Sequence, residues 1–245
     1  AFSFPLPPSP PSFPMARRAA RFEPPDLPPA GGVISVINRA PDAPDVLTIR
    51  VGRKSAGRSH ESAAADLGID IGVTWTARMR DAVAAAMLLA SAREWAIHAV
   101  ARRSMSRVML TTKLTQRGLP RPAAARIAAD LQAAGLIDEK SFAEGVVGST
   151  ISRKATGTRL LVNTLRAKGI EGKMAAKAVE KVTREADYDP RAAALDLARR
   201  KHRTMGTRLD PQARQRRLYG LLARRGFDAE LCREVVATVV RTPDE

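Results

Sequence analysis

The residues of this chain with the most chemistry to offer are cations. Arg199, Arg200, Lys201 and Arg203 crowd into the run ARRKHR, and Arg214, Arg216, Arg217 and Arg224 follow on the solvent side of the next helical stretch. Lysine and arginine total 41 against 25 acidic residues, a formal net charge of +16. The excess is uneven: residues 1–100 hold 11 basic and 9 acidic groups, whereas 101–245 hold 30 and 16. A basic surplus clustered on helices suits a polyanionic partner or an acidic protein surface, through counterion release and electrostatic steering. The plain alternative is a solvated face in an arginine-rich, alanine-rich chain.

Other chemistries are poorly supplied. His60, His98 and His202 stand far apart, and no CxxC, HExxH or calcium-loop spacing occurs, so neither a metal nor a cofactor is expected. No GxxxxGK[ST] or GxSxG run exists. Gly145 and Gly148 lie in a helical stretch, without the preceding strand that a phosphate cradle needs. Glu139 and Glu144 are the acids that could serve general acid–base work, and exposed helix carboxylates beside basic residues account for them better. No enzymatic activity is expected. Aromatic residues make up 4 per cent, too few to supply base stacking freely. Phe142, Tyr188, Tyr219 and Phe227 fall where a helix or its turn would bury them. Cys232, the single cysteine, lies on an apolar stripe and reads as a buried small residue rather than a reactive thiol.

The elements that carry the cations repeat. Leu161, Leu165 and Gly169 follow at intervals of four with Ile170 directly after, and the same spacing recurs as Leu110, Leu114, Gly118, Leu119 and as Leu218, Leu222, Gly226, Phe227. Register persists beyond each glycine: five residues on stand Ala123, Met174 and Leu231, nine on Ile127, Ala178 and Val235, thirteen on Leu131, Val182 and Val239. Offsets of four trace one helical face. Each unit therefore reads as a helix, a glycine turn and a second helix in fixed register, preceded by a further, longer helix.

Residues 1–32 hold ten of the seventeen prolines and little periodicity, and are expected to form a disordered leader, with MARRAAR from Met15 reading as a natural start. Residues 33–76 suggest a small antiparallel β module. It has strands in VISVI and over Val46–Val51, a third around Ala56–Ser59, a short helix over Glu61–Leu67 and one more strand within LGIDIGVTWT. So few short strands must lean on the long helical stretch Ala77–Arg103, which reads as one helix or as two with a bend near Leu89–Ser91. Ser106, Asp138 and Asp189 are placed to cap helices, that from Asp138 running through Lys154, and Pro122 and Pro190 to open them. After a loop holding Gly206 and Asp210-Pro211, a helix over Gln212–Arg224 carries Leu218 and Leu222 inward. The copies divide as 77–135, 136–186 and 187–241. None can bury its stripe alone, so a mainly α fold of tandem three-helix repeats, stacked as an elongated curved solenoid, is expected. No run approaches the length of a membrane span, which reads as a soluble, cytoplasmic monomer with no membrane partner.

Over residues 33–240 the chain resembles the RecX family of bacterial recombinase regulators. The most specific stretch is GLIDEKSFAEGVVGSTISRKATGTRLLVNTLRAKGI, residues 135–170, joined by RRGF at Arg224–Phe227 and by the strands and LGIDIG upstream. Met109 departs from the family's glutamate, which removes a reciprocal cap with Ser106. Gly145 and Gly148 replace bulkier residues and predict a bend or a local departure from the helix. The resemblance implies a protein that binds the RecA nucleoprotein filament in its helical groove and suppresses ATP hydrolysis and strand exchange. Its candidate contacts are Arg102, Arg103, Arg159, Arg199, Arg200, Lys201, Arg203, Arg216, Arg217, Arg224 and Arg225. Weak direct DNA binding is expected with it. The alternative is a basic helical protein that acts on DNA without a recombinase.

Overall fold

The computed structural model describes residues 21–205 and 210–241. Most of the expected leader and the turn at Gly206 lie outside them. Two compact units are present: among the described residues one holds those up to Leu88 together with Gln116–Leu119, the other holds Leu89–Thr115 and those from Pro120 on.

The first unit is built on three antiparallel strands in the order β1 (Ile34–Ala40), β2 (Ala43–Val51) and β3 (Lys54–His60). Their inward residues Ile34, Ile49, Val51 and Ala56 join Ala64 of the short helix α1 (Glu61–Asp66) and Met79 and Val83 of α2 (Ala77–Arg102) around Trp75, which is fully buried. This is the helix the strands were expected to need. The fourth strand does not form: Thr74 makes one isolated bridge to Val33, and the Val73 N–H donates to the Asp70 carbonyl at 3.2 Å, closing a turn instead. Residues 21–32 also depart from expectation. Leu27 packs on the core, the Trp75 indole donates to the Pro28 carbonyl at 3.1 Å, and Gly31 and Gly32 exchange backbone bonds with Trp75. A buried indole N–H must find an acceptor, and the proline-rich segment supplies it.

α2 is a single helix of 26 residues. By length and mean hydropathy, 1.2 over its most apolar window, it meets the criterion for a membrane span, contrary to the sequence expectation. Alanine supplies much of that hydropathy. The charged Arg93 and Glu94 lie within the helix, Arg93 pairing with Asp130 at 3.3 Å, and charges of this kind cost about 2.5–3.5 kcal/mol each at a bilayer centre.

The second unit continues with α3 (Arg107–Gln116), α4 (Arg121–Ala133), α5 (Glu139–Ile151), α6 (Thr158–Ala167), α7 (Gly172–Glu185), α8 (Pro190–Arg203), α9 (Pro211–Arg224) and α10 (Ala229–Arg241). Asp138, Asp189 and Asp210 each accept backbone N–H groups in the first turn of the following helix, which satisfies donors that helix geometry leaves orphaned. The Ser141 hydroxyl and backbone hold the Asp138 carboxyl below the usual carboxylate range. α5, of 13 residues, is longer than α6 (10) but not than α7 (14), so it is not the long helix of its copy, and it stops at Ile151, short of the expected Lys154. It runs unbroken through Gly145 and Gly148, so the bend predicted there is absent: a Cβ would meet nothing at Gly145 and only ordinary contact at Gly148.

The repeated leucines all face inward. Leu110, Leu114, Leu161, Leu165, Leu218 and Leu222 are buried, as are Leu119, Ile170 and Phe227 after the glycines. The stripe of each copy's last helix keeps the expected Ile127, Leu131, Ala178, Val235 and Val239 buried but starts one residue later than the sequence spacing suggests. Ala124, Ala175 and Cys232 are fully buried, while Ala123, Met174 and Leu231 at the preceding positions are half-buried. Alternate steps of three and four follow a 3.6-residue turn better than steps of four alone.

Candidate functional site

The helices of each copy leave their cations outside. Arg102 ends α2 with Arg103 just beyond, Arg159 stands in the first turn of α6, and all three are exposed. Arg199, Arg200, Lys201 and Arg203 occupy the last turns of α8, where positive charge is favoured by the helix carbonyl terminus. Arg200 is partly neutralised by an ion pair with Asp196 one turn earlier.

Four of the eleven candidates converge. Lys201 of α8 and Arg216, Arg217 and Arg224 of α9 line one shallow groove around Gly220 and Leu221, with no carboxylate on its walls. None of the four makes an ion pair among the described residues. A Cβ on Gly220 would press on the Arg224 guanidinium, so the small residue leaves that group room against the helix. Like charges gathered without counterions oppose folding, and a bound polyanion relieves that repulsion.

Arg225 belongs elsewhere. Half-buried at the end of α9, it donates through Nη1 to the Ala155 carbonyl at 3.3 Å, and its own carbonyl accepts from Gly157 N at 2.8 Å. It is therefore committed to the joint between α6 and α9, and the sequence offered no sign of this because both partners are backbone groups of a distant loop.

The carboxylates have structural work. Glu139 accepts from the Arg107 N–H at 3.0 Å, capping α3 from the start of α5, so a first-turn donor of α3 is satisfied by a residue of the next copy. Glu144 accepts from the Lys181 ammonium at 2.8 Å, and that bond pushes the lysine pKa up. Cys232 is fully buried, and desolvation pushes its thiol up, away from the reactive thiolate. Among the described residues no three His, Cys, Asp or Glu side chains cluster as a metal site would need.

Aromatic placement departs from expectation once. Phe142 and Phe227 are buried, and the Tyr188 hydroxyl both donates to and accepts from the Thr156 backbone, at 3.0 and 2.9 Å. Tyr219 instead stands exposed in a second groove, between α9 and α10, with Gln215, Arg216, Arg233, Val236 and Ala237. A third groove runs between α5 and α7, where Lys173, Lys177, Lys181 and Arg184 are interleaved with Glu144, Glu171 and Glu180 beside Met174 and Ala178. Sequence reasoning overlooked it, although lysines at 173, 177 and 181 form a row at helical spacing.

Residues 187–236, which include α8 and α9 and most of α10, match the family model described as RecX, third three-helix domain. The regulatory protein RecX of Mycolicibacterium smegmatis is 37% identical over 141 residues, covering 55% of this chain and 72% of that protein. That of Chlorobium phaeobacteroides is 33% identical over 147 residues, covering 60% of this chain and 92% of its relative. A crystal structure of regulatory protein RecX, 21% identical, superposes with a TM-score of 0.61 over 83% of this chain and 98% of the other, which establishes a shared fold.

Proposed function

The chain belongs to the RecX family of regulatory proteins, and we propose that it restrains the RecA recombinase by docking on the RecA–DNA filament and slowing ATP hydrolysis and strand exchange. Family membership implies regulation rather than catalysis, and no chemistry of the protein's own enters the proposal. The protein acts as a cytoplasmic monomer, modulating homologous recombination, repair and the SOS response.

The observation that carries the reading is the α8–α9 groove. Lys201, Arg216, Arg217 and Arg224 present four charges from two rigid helices with no acid among them. Phosphate on the filament's DNA or carboxylates on its protein surface would satisfy these groups, and the interaction would weaken as salt rises. Arg199, Arg203, Arg102, Arg103 and Arg159 add to the field without lining the groove. Arg225 is withdrawn from the contact set by its structural bonds.

The test is RecA-driven ATP hydrolysis on single-stranded DNA. The expected result is inhibition at or below stoichiometric protein, abolished when Arg216, Arg217 and Arg224 are together changed to glutamate while circular dichroism reports an intact fold. Undiminished hydrolysis with the unaltered protein sinks the proposal; undiminished inhibition by the triple variant removes the groove from it.

A further inference from the structure

Tyr219 is 37% exposed, and among the described residues it is the one aromatic side chain in the open. Its ring lies in the groove between α9 and α10, with Val236 and Ala237 as apolar floor and Gln215, Arg216 and Arg233 beside it. The hydroxyl makes no hydrogen bond among the described residues, unlike that of Tyr188. Neither Arg216 nor Arg233 is in an ion pair there, and no carboxylate lines the groove. Arg216 also lines the four-cation groove on the other side of α9, so a continuous cationic surface runs from Arg233 past the tyrosine to Lys201, Arg217 and Arg224.

An aromatic face flanked by guanidinium groups suits a ligand that is planar and anionic at once. Carboxylates on a protein would use the arginines and leave the ring idle. Duplex DNA would offer phosphates but keep its bases stacked inside. Single-stranded nucleic acid offers both, since an unstacked base can lie on a tyrosine while the phosphates on either side meet arginines. We infer that the α9–α10 groove is a nucleobase-stacking subsite for single-stranded DNA, with a base on Tyr219 and the adjoining phosphates on Arg216 and Arg233. Every base has a π face, so the subsite is tolerant of sequence. The inference rests on the third repeat facing nucleic acid, and adds to it a preference for single strands that charge alone does not give.

The experiment uses the full chain without any recombinase, so its outcome is independent of filament regulation. Fluorescence anisotropy follows binding to a labelled oligothymidylate, to the same length of abasic sugar-phosphate, and to a duplex. The unaltered protein is expected to bind oligothymidylate about fivefold to a hundredfold more tightly than the abasic strand. Tyr219→Leu should remove that advantage and leave abasic and duplex binding unchanged, whereas Tyr219→Phe should retain it within about twofold. Arg216→Ala or Arg233→Ala should weaken all three ligands and lower the salt slope by about one. Equal affinity of the unaltered protein for oligothymidylate and abasic strand overturns the inference without requiring any variant to fold. So does a Tyr219→Leu protein that keeps its oligothymidylate affinity.

Discussion

The same turn joins neighbouring copies twice, and the two joints are made differently. Between the first and second copies, Ser106 at the head of α3 donates its hydroxyl to the Lys168 carbonyl at the end of α6 and accepts from the Met109 N–H at 3.2 Å, and Gly169 lies against the Val108 side chain. Between the second and third, Gly157 holds the position equivalent to Ser106. Its N–H donates to the Arg225 carbonyl, and Gly226 lies against the backbone and Cβ of Leu160. Each contact joins the start of one copy's middle helix to the turn that ends the next copy's middle helix. The first joint is closed by side chains and the second by main chain. A side chain can shift or be trimmed, whereas a backbone held at both ends by helices cannot, so tolerance to change should differ between the joints.

The largest effect is expected at the main-chain joint. A Cβ on Gly157 would overlap the Gly226 carbonyl, and one on Gly226, at φ +78°, would overlap the Leu160 backbone nitrogen. Either alanine substitution should cost about 3 kcal/mol or more, combining overpacking with, at Gly226, the left-handed backbone penalty, read as a lower urea midpoint. Leu160→Ala should not rescue Gly226→Ala, because the backbone obstruction remains. At the side-chain joint Gly169→Ala should cost about 2–3 kcal/mol, and there rescue is the discriminating result: the atoms in the way are Cβ and both γ carbons of Val108, 45% exposed, and Val108→Gly removes all three at about 1 kcal/mol of helix propensity. The double variant should recover about 1 kcal/mol or more in a thermodynamic cycle. Absence of that recovery would erase the distinction between the joints.

Gly118 separates turn from joint. It has the same left-handed backbone, φ +96°, with nothing within reach of a Cβ. Gly118→Ala should therefore cost only the conformational share, about 1–2 kcal/mol, and a loss matching that at Gly226 would show that crowding contributes little. Gly145 and Gly148 set the other limit. Both sit in the unbroken α5 away from any close approach, so alanine at each should stabilise by about 0.5–1 kcal/mol, seen as a raised Tm.

Much of this was legible because it is local. Leucines four apart can share only one helical face, so Leu161, Leu165, Leu218 and Leu222 announced their burial, and aspartates before helical runs announced their caps. Trp75 was less legible. It sits in a glycine-rich stretch without periodicity, and its central place in the first unit follows from the proline-rich segment whose carbonyl receives its indole. The cationic site was half legible. Charge density singled out α8 and α9, but periodicity does not say which of eleven cations face a common groove, or that Arg225 faces a carbonyl.

The sequence by itself determined the helices, the three copies, the inward leucines, the glycine turns and the basic excess of the second half, since each depends on residue type and spacing along one element. Tertiary structure alone decided which chain lies across each turn. That contact makes Gly169 and Gly226 close approaches while leaving Gly118 open, turns Glu139 into a cap for a helix of another copy, and sets Tyr219 beside Arg233 in the open. These are relations between elements distant in sequence, and a periodicity read along one helix holds no record of its neighbour.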